Sequence, residues 1–80
     1  MKTLYERFNN YVKNNDSYCN TFKCDNGYSL LVIKYSHLKV FDIKVLDKNK
    51  NHIIETYNDL YPYDAANMIK ELTSFYKYTI

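Results

Sequence analysis

The side chains best suited to bind a metal ion or act as a nucleophile are two thiols and two imidazoles. The C-x4-C spacing of Cys19 and Cys24 is wider than the tight cysteine pairing of zinc knuckles. His37 and His52 lie fifteen residues apart, whereas paired histidine ligands of zinc sites are separated by three to five residues. Within one strand the two cysteines have opposite parity and point to opposite faces. The sequence therefore predicts no metal site, with the cysteines as small apolar residues and the histidines in turns.

Other catalytic arrangements are also missing from the sequence. Gly27 is the only glycine, so no glycine-rich loop can hold a phosphate. A cysteine, His37 and an aspartate can be drawn as a triad, but any chain of this length offers such a set. The six Asp and three Glu residues form no suggestive acid–base pair. We predict a protein that is not an enzyme and that uses no cofactor.

Composition and charge narrow the function classes further. Asn, Lys and Tyr number ten each and Ile six, a bias that fits A/T-rich codon usage. The net charge of +2 is too small for a dedicated duplex-DNA binder. With nine carboxylates and eleven cations, the chain also cannot be an acidic protein that mimics the phosphate backbone of a nucleic acid. The longest apolar run covers 30–33, which is too short to span a bilayer. The first residues include Glu6 and lead into no apolar stretch, so we expect no signal peptide. We expect a cytoplasmic protein with reduced cysteines and no membrane partner.

The length predicts a single domain over 1–80. Apolar residues at helical spacing predict a helix over 3–13, and Pro62 suits the first turn of a second helix. The buried stripe of this second helix is expected to be Ala65, Ile69, Leu72 and Phe75 or Tyr76. Strands are expected at 18–24, 28–35, 38–46 and 52–57. Because the connections are short, we predict an α+β fold of two layers, in which a four-stranded antiparallel meander is flanked by both helices in the order α-β-β-β-β-α.

Two local features of the sheet can also be predicted. The run Asp25-Asn26-Gly27 places the glycine where a tight hairpin turn needs a positive φ. In the third strand the apolar residues change parity between Val40 and Phe41, which predicts a β-bulge at that point.

The second strand is apolar on both faces, which indicates a central strand. We expect the helices to cover the face that carries Leu31 and Ile33, together with the odd-numbered apolar residues of the third strand. The opposite face then exposes Leu30 and Val32, which are predicted to form the interface of a homodimer. This face is also predicted to bind a partner, through Tyr28, Lys34, Lys44 and Tyr57, with Tyr35 nearby.

Two kinds of partner fit a face that mixes tyrosine and lysine. Tyrosine supplies a large contact area at low entropic cost, which suits a protein–protein interface. Alternatively, tyrosines could stack on bases while lysines neutralise phosphates, as in modules that bind RNA or single strands.

The layout resembles that of small accessory proteins of A/T-rich phages. A short N-terminal helix, a hairpin-rich sheet and a C-terminal helix that opens at Pro62-Tyr63-Asp64-Ala65-Ala66 carry this resemblance across the whole chain. The class includes anti-CRISPR proteins and other inhibitors of host machinery. The resemblance implies a stoichiometric inhibitor that occupies a surface on a host protein or ribonucleoprotein complex, and it assigns no individual residue.

Overall fold

The first helix, α1 (Leu4–Lys13), begins at a complete capping box. The backbone N–H of Glu6 donates to Thr3 Oγ1 at 3.1 Å, and the Thr3 N–H donates to Glu6 Oε1 at 3.0 Å. Two backbone donors that a helix start leaves without partners are satisfied in this way.

The described structure, a computed structural model, covers residues 2–74. In that range α1 is followed by β1 (Tyr18–Lys23), β2 (Ser29–Lys34), β3 (Phe41–Leu46), β4 (Ile53–Leu60) and α2 (Pro62–Ser74).

Acid is expected to weaken both the start of α1 and the loop between β3 and β4. Hydrogen bonds from Thr3 hold the pKa of Glu6 below its ordinary value, and the backbone N–H of Asn51 does the same for the pKa of Asp47. Because folding lowers both pKa values, their stabilisation is present above the unfolded values near 4 and is lost as the pH falls through the folded ones.

Urea titrations from neutral pH down to about pH 2.5 measure this loss. Glu6→Gln keeps an acceptor for the Thr3 N–H but cannot titrate, so we expect it to flatten part of the acid profile. An unchanged acid profile in that variant would contradict the role given to Glu6.

The four strands form one antiparallel sheet in the order β1-β2-β3-β4, so the predicted meander and the α-β-β-β-β-α order are confirmed. The predicted hairpin turn is also confirmed. Cys24 N–H donates to the Tyr28 carbonyl at 2.8 Å, and Gly27 N–H donates to the Cys24 carbonyl at 3.1 Å. Gly27 has φ of 92°, a conformation that glycine adopts without steric cost.

The predicted bulge between Val40 and Phe41 is wrong. β3 begins at Phe41, so the parity change marks the start of the strand rather than an irregularity within it. The actual register shifts lie in the β3–β4 pair, between Phe41 and Ile43 and between Val45 and Leu46. At the first of these, Asp59 has φ of 60° and its N–H donates to Asp42 Oδ1 at 3.1 Å. The β1–β2 and β2–β3 ladders are regular.

Both helices pack on the same face of the sheet, as the two-layer prediction requires. Phe8 of α1 is fully buried, and its ring stacks on that of Phe41 with centroids 4.2 Å apart. From α2, the predicted stripe residues Ala65, Ile69 and Leu72 enter the same core, whereas Phe75 and Tyr76 lie outside the described residues. The sheet contributes mainly Leu30, Val32, Phe41, Ile43 and Val45.

The predicted choice of covered face is wrong for the second strand. Leu30 faces Val45 and Val32 faces Ile43, so residues of opposite parity share a face in β2 and β3. Leu30 and Val32 are therefore fully buried beneath the helices. They cannot form a dimer interface without unfolding the core.

Neither helix could cross a membrane in the described part of the chain, because neither is long and apolar enough.

Candidate interaction surface

The face of the sheet that lies opposite the two helices is a candidate binding surface. We call it the outer face. The register brings three rows of side chains together on it. The rows are Cys19–Ile33–Asp42, Thr21–Leu31–Lys44–Thr56 and Lys23–Ser29–Leu46–Ile53.

Aliphatic side chains lie at the centre of the outer face and lysines lie around them. Leu31 and Ile33 of β2 are half-buried. Ile53, at the edge in β4, is 55% exposed. Lys44 lies opposite Leu31 on β3, and Lys23 lies diagonal to it on β1, opposite Ser29, so this area carries positive charge. The carboxylate of Asp42 already accepts the Asp59 N–H, so one acid on this face has an internal partner.

The five residues predicted to bind a partner do not lie on one surface. Lys44 lies on the outer face, and Tyr35 follows β2 with 61% exposure. Tyr28 and Tyr57 are partly buried and pack against the core on the helix side. Lys34 is on the helix side as well, only 1% exposed. The prediction that these side chains share an open face is therefore wrong, for the same reason of parity as for Leu30 and Val32.

Lys34 has a structural position that its residue type did not suggest. Its Nζ donates to the backbone carbonyl of Asp16, in the connection from α1 to β1, and at 3.2 Å to the carbonyl of Tyr35. Tyr18 lies opposite it in the β1–β2 register. A buried lysine that bonds carbonyls from two connections ties those segments together.

Tyr57 forms a small polar pair with Glu55 on the helix side of β4. Desolvation raises the pKa of the Tyr57 hydroxyl, and the hydrogen bond and charge of Glu55 raise it further. The phenol is thus kept neutral, which suits a packed position.

Three of the exposed tyrosines lie on or next to the helices. Tyr5 of α1 and Tyr63 of α2 form an edge-to-face pair with centroids 5.7 Å apart, and Tyr61 is 62% exposed just before α2. Since the rows of the outer face contain no aromatic residue, that face lacks the rings on which bases stack in sheet-face RNA binders.

Two shallow clefts border α1. One, of about 320 Å³, is lined by Lys2, Arg7, Asn10, Tyr11, Asn14 and Asp16. The other, of about 410 Å³, lies between α1 and α2, with Leu4, Tyr5, Ile69 and Lys70 among its lining residues. Both clefts are open to solvent rather than enclosed.

The two thiols lie in different environments. Cys19 is exposed on the outer face, whereas Cys24 is buried, and desolvation raises the pKa of its thiol. No group of three or more His, Cys, Asp or Glu side chains that could hold a metal ion occurs within residues 2–74. A thiol with a raised pKa has little thiolate at neutral pH and is a poor nucleophile.

Comparison of the chain with protein families, curated proteins and solved structures gives no match.

Proposed function

We propose that this chain is a non-catalytic binding protein whose outer face docks on another protein. The observation that carries the proposal is the cluster of Leu31, Ile33 and Leu46 between Lys23 and Lys44, on a sheet face that neither helix covers. Covering the aliphatic side chains of an open face with a partner removes apolar surface from water, which favours binding. The lysines favour a partner that carries carboxylates around an apolar patch.

A protein partner fits the outer face better than RNA does. Base recognition on a sheet depends on aromatic stacking, and the rows of this face carry aliphatic and hydroxyl side chains instead. With four strands about 4.8 Å apart, the rows span roughly 14 Å, so a standard interface of about 800 Å² per partner must extend onto the neighbouring loops.

Docking of this kind would block whatever site the partner presents. A stoichiometric inhibitor of a host protein or ribonucleoprotein complex, acting in the host cytoplasm by steric occlusion, is the role that the resemblance to phage accessory and anti-CRISPR proteins implies.

Charge-reversing and polar variants of the outer face test the proposal. Leu31→Glu and Lys44→Glu are each expected to weaken partner binding at least about 30-fold, because a buried contact of about 2 kcal/mol is lost and repulsion is added. Binding is measured by quantitative affinity capture from a candidate host lysate, followed by titration of the captured protein.

Two matched variants control for the chemical change itself. Leu38→Glu alters an exposed leucine in the β2–β3 connection, and Lys70→Glu alters an exposed lysine of α2. Both should bind as the wild type does. Equal losses in all four variants would contradict the proposal. Capture of nucleic acid, with affinity that falls steeply with salt, would replace it by the RNA-binding alternative.

A further inference from the structure

The outer edge of β1 has backbone groups that point away from the sheet. Cys24 N–H bonds to Tyr28 across the hairpin, so every second residue of β1, counting back from Cys24, bonds to β2. The alternate residues Cys19, Thr21 and Lys23 therefore direct their N–H and C=O groups outward. The Thr21 N–H confirms this, because it donates to the side chain of Asn20 at 2.9 Å rather than to β2.

The two edges of the sheet differ in regularity. β4 has register shifts near both ends, and Asp59 in it has φ of 60°. Such irregularities prevent another strand from pairing along an edge. β1 pairs with β2 without a shift over all six residues, contains no proline, and has four exposed residues. Among the described strands, β1 therefore provides the edge suited to pairing.

We propose that β1 pairs antiparallel with β1 of a second copy, with Thr21 opposite Thr21 at the two-fold axis. This register brings all three outward-facing residues into hydrogen-bonded pairs, because Cys19 of each copy then faces Lys23 of the other. Any shift of the register loses one or more of these pairs. The result is one eight-stranded sheet with all helices on the same side, so the two outer faces join into a continuous surface.

The charges and side chains of β1 suit this register. Lys23 is the only charged residue of the strand, and it meets the neutral Cys19 of the other copy. The two Lys23 side chains lie about four residues apart along the strands, or roughly 14 Å, so salt screens their repulsion. Phe22, half-buried at the edge, gains Asn20 of the other copy as a neighbour on the helix side.

Asn20 limits the strength of the pairing. Its side chain occupies the outward N–H at the centre of the edge, and this bond must break before the central pair forms. A single six-residue edge also buries less area than a stable dimer needs. The pairing is therefore reversible and concentration-dependent.

Sedimentation velocity over a concentration series, with reducing agent present, measures the dissociation constant of the dimer. Two variants, one expected to weaken the dimer and one expected to strengthen it, test the pairing. Thr21→Pro removes an outward N–H and leaves the β1–β2 bonds intact, so it is expected to abolish the dimer. Asn20→Ala frees the central N–H and is expected to strengthen the dimer several-fold.

Cys19 tests the register itself. Cys19→Glu places a carboxylate opposite Lys23 twice per dimer and is expected to lower the dissociation constant about five-fold. Cys19→Lys, at the same exposed position, is expected to raise it by a similar factor. Circular dichroism verifies that each variant is folded.

The contrary results are equally specific. Monomers at every concentration in the wild type, Asn20→Ala and Cys19→Glu would overturn the proposal. So would a folded Thr21→Pro variant that dimerises as the wild type does. If both Cys19 variants shifted the dissociation constant in the same direction, the register about Thr21 would be wrong. Outer-face variants such as Lys44→Glu should leave the dimer unchanged, which separates this inference from the proposed function.

Discussion

Replacement of Phe8 by alanine is expected to destabilise the protein by about 3–5 kcal/mol, the range for deleting a buried aromatic ring. Phe8 is fully buried, stacks on Phe41, and meets Tyr18 edge-to-face with centroids 5.2 Å apart. It is the only fully buried residue of α1, whereas Leu4, Tyr11 and Val12 pack against the core with partial burial. For a domain of 80 residues, whose expected stability is about 4–12 kcal/mol, this is a large fraction.

Urea denaturation followed by circular dichroism measures the effect. Phe8→Leu, which keeps most of the apolar volume, is expected to cost about 1–2 kcal/mol. Tyr5→Ala, on the exposed side of the same helix, serves as the control and should cost no more than about 1 kcal/mol. A Phe8→Ala variant as stable as Tyr5→Ala would show that α1 contributes little to the core.

The second large effect is expected at Lys34. Lys34→Ala removes a fully enclosed side chain and leaves the carbonyls of Asp16 and Tyr35 without their donor, for a combined cost of about 3 kcal/mol. Lys34→Met retains the apolar stem but not the donor, and it also removes a buried charge. We expect it to cost roughly half as much.

Lys39→Met provides the matched control for Lys34→Met, because Lys39 is exposed in the connection after Tyr35. It should change the free energy of unfolding by less than about 0.5 kcal/mol. If Lys34→Met were as stable as the wild type, the hydrogen bonds of the ammonium group would contribute nothing net, and the alkyl stem alone would explain the position.

Local sequence signals were sufficient to predict the elements. The helical spacing around Phe8, the turn at Gly27 and the start of α2 at Pro62 each act over a few residues, and each lies where the sequence predicts. The orientation of β2 was not predictable in this way. Its two faces are both apolar, and only the pairing of Leu30 with Val45 decides which one meets the helices.

The candidate surface changed as a consequence. Because the face of β2 that meets the helices is the opposite of the predicted one, Lys34 lies in the interior and Leu31 lies on the outer face. Lysine is rarely buried, so residue type alone favours an exposed Lys34. One of its carbonyl acceptors belongs to Asp16, in a connection distant in sequence, and a one-dimensional pattern cannot reveal that contact. Of the predicted binding residues, Lys44 lies on the outer face, whereas Tyr28, Lys34 and Tyr57 lie on the helix side.

The order of the strands has a consequence for how the chain folds. Each strand pairs with its neighbour in sequence, so the sheet can assemble by closing three short connections, each a fast and local event. The core still stays open until α1 and α2, from opposite ends of the sheet-forming segment, both dock on it. We therefore expect docking of the helices, rather than strand pairing, to limit the folding rate, with Phe8 and Ile69 gaining their contacts after the hairpins have formed.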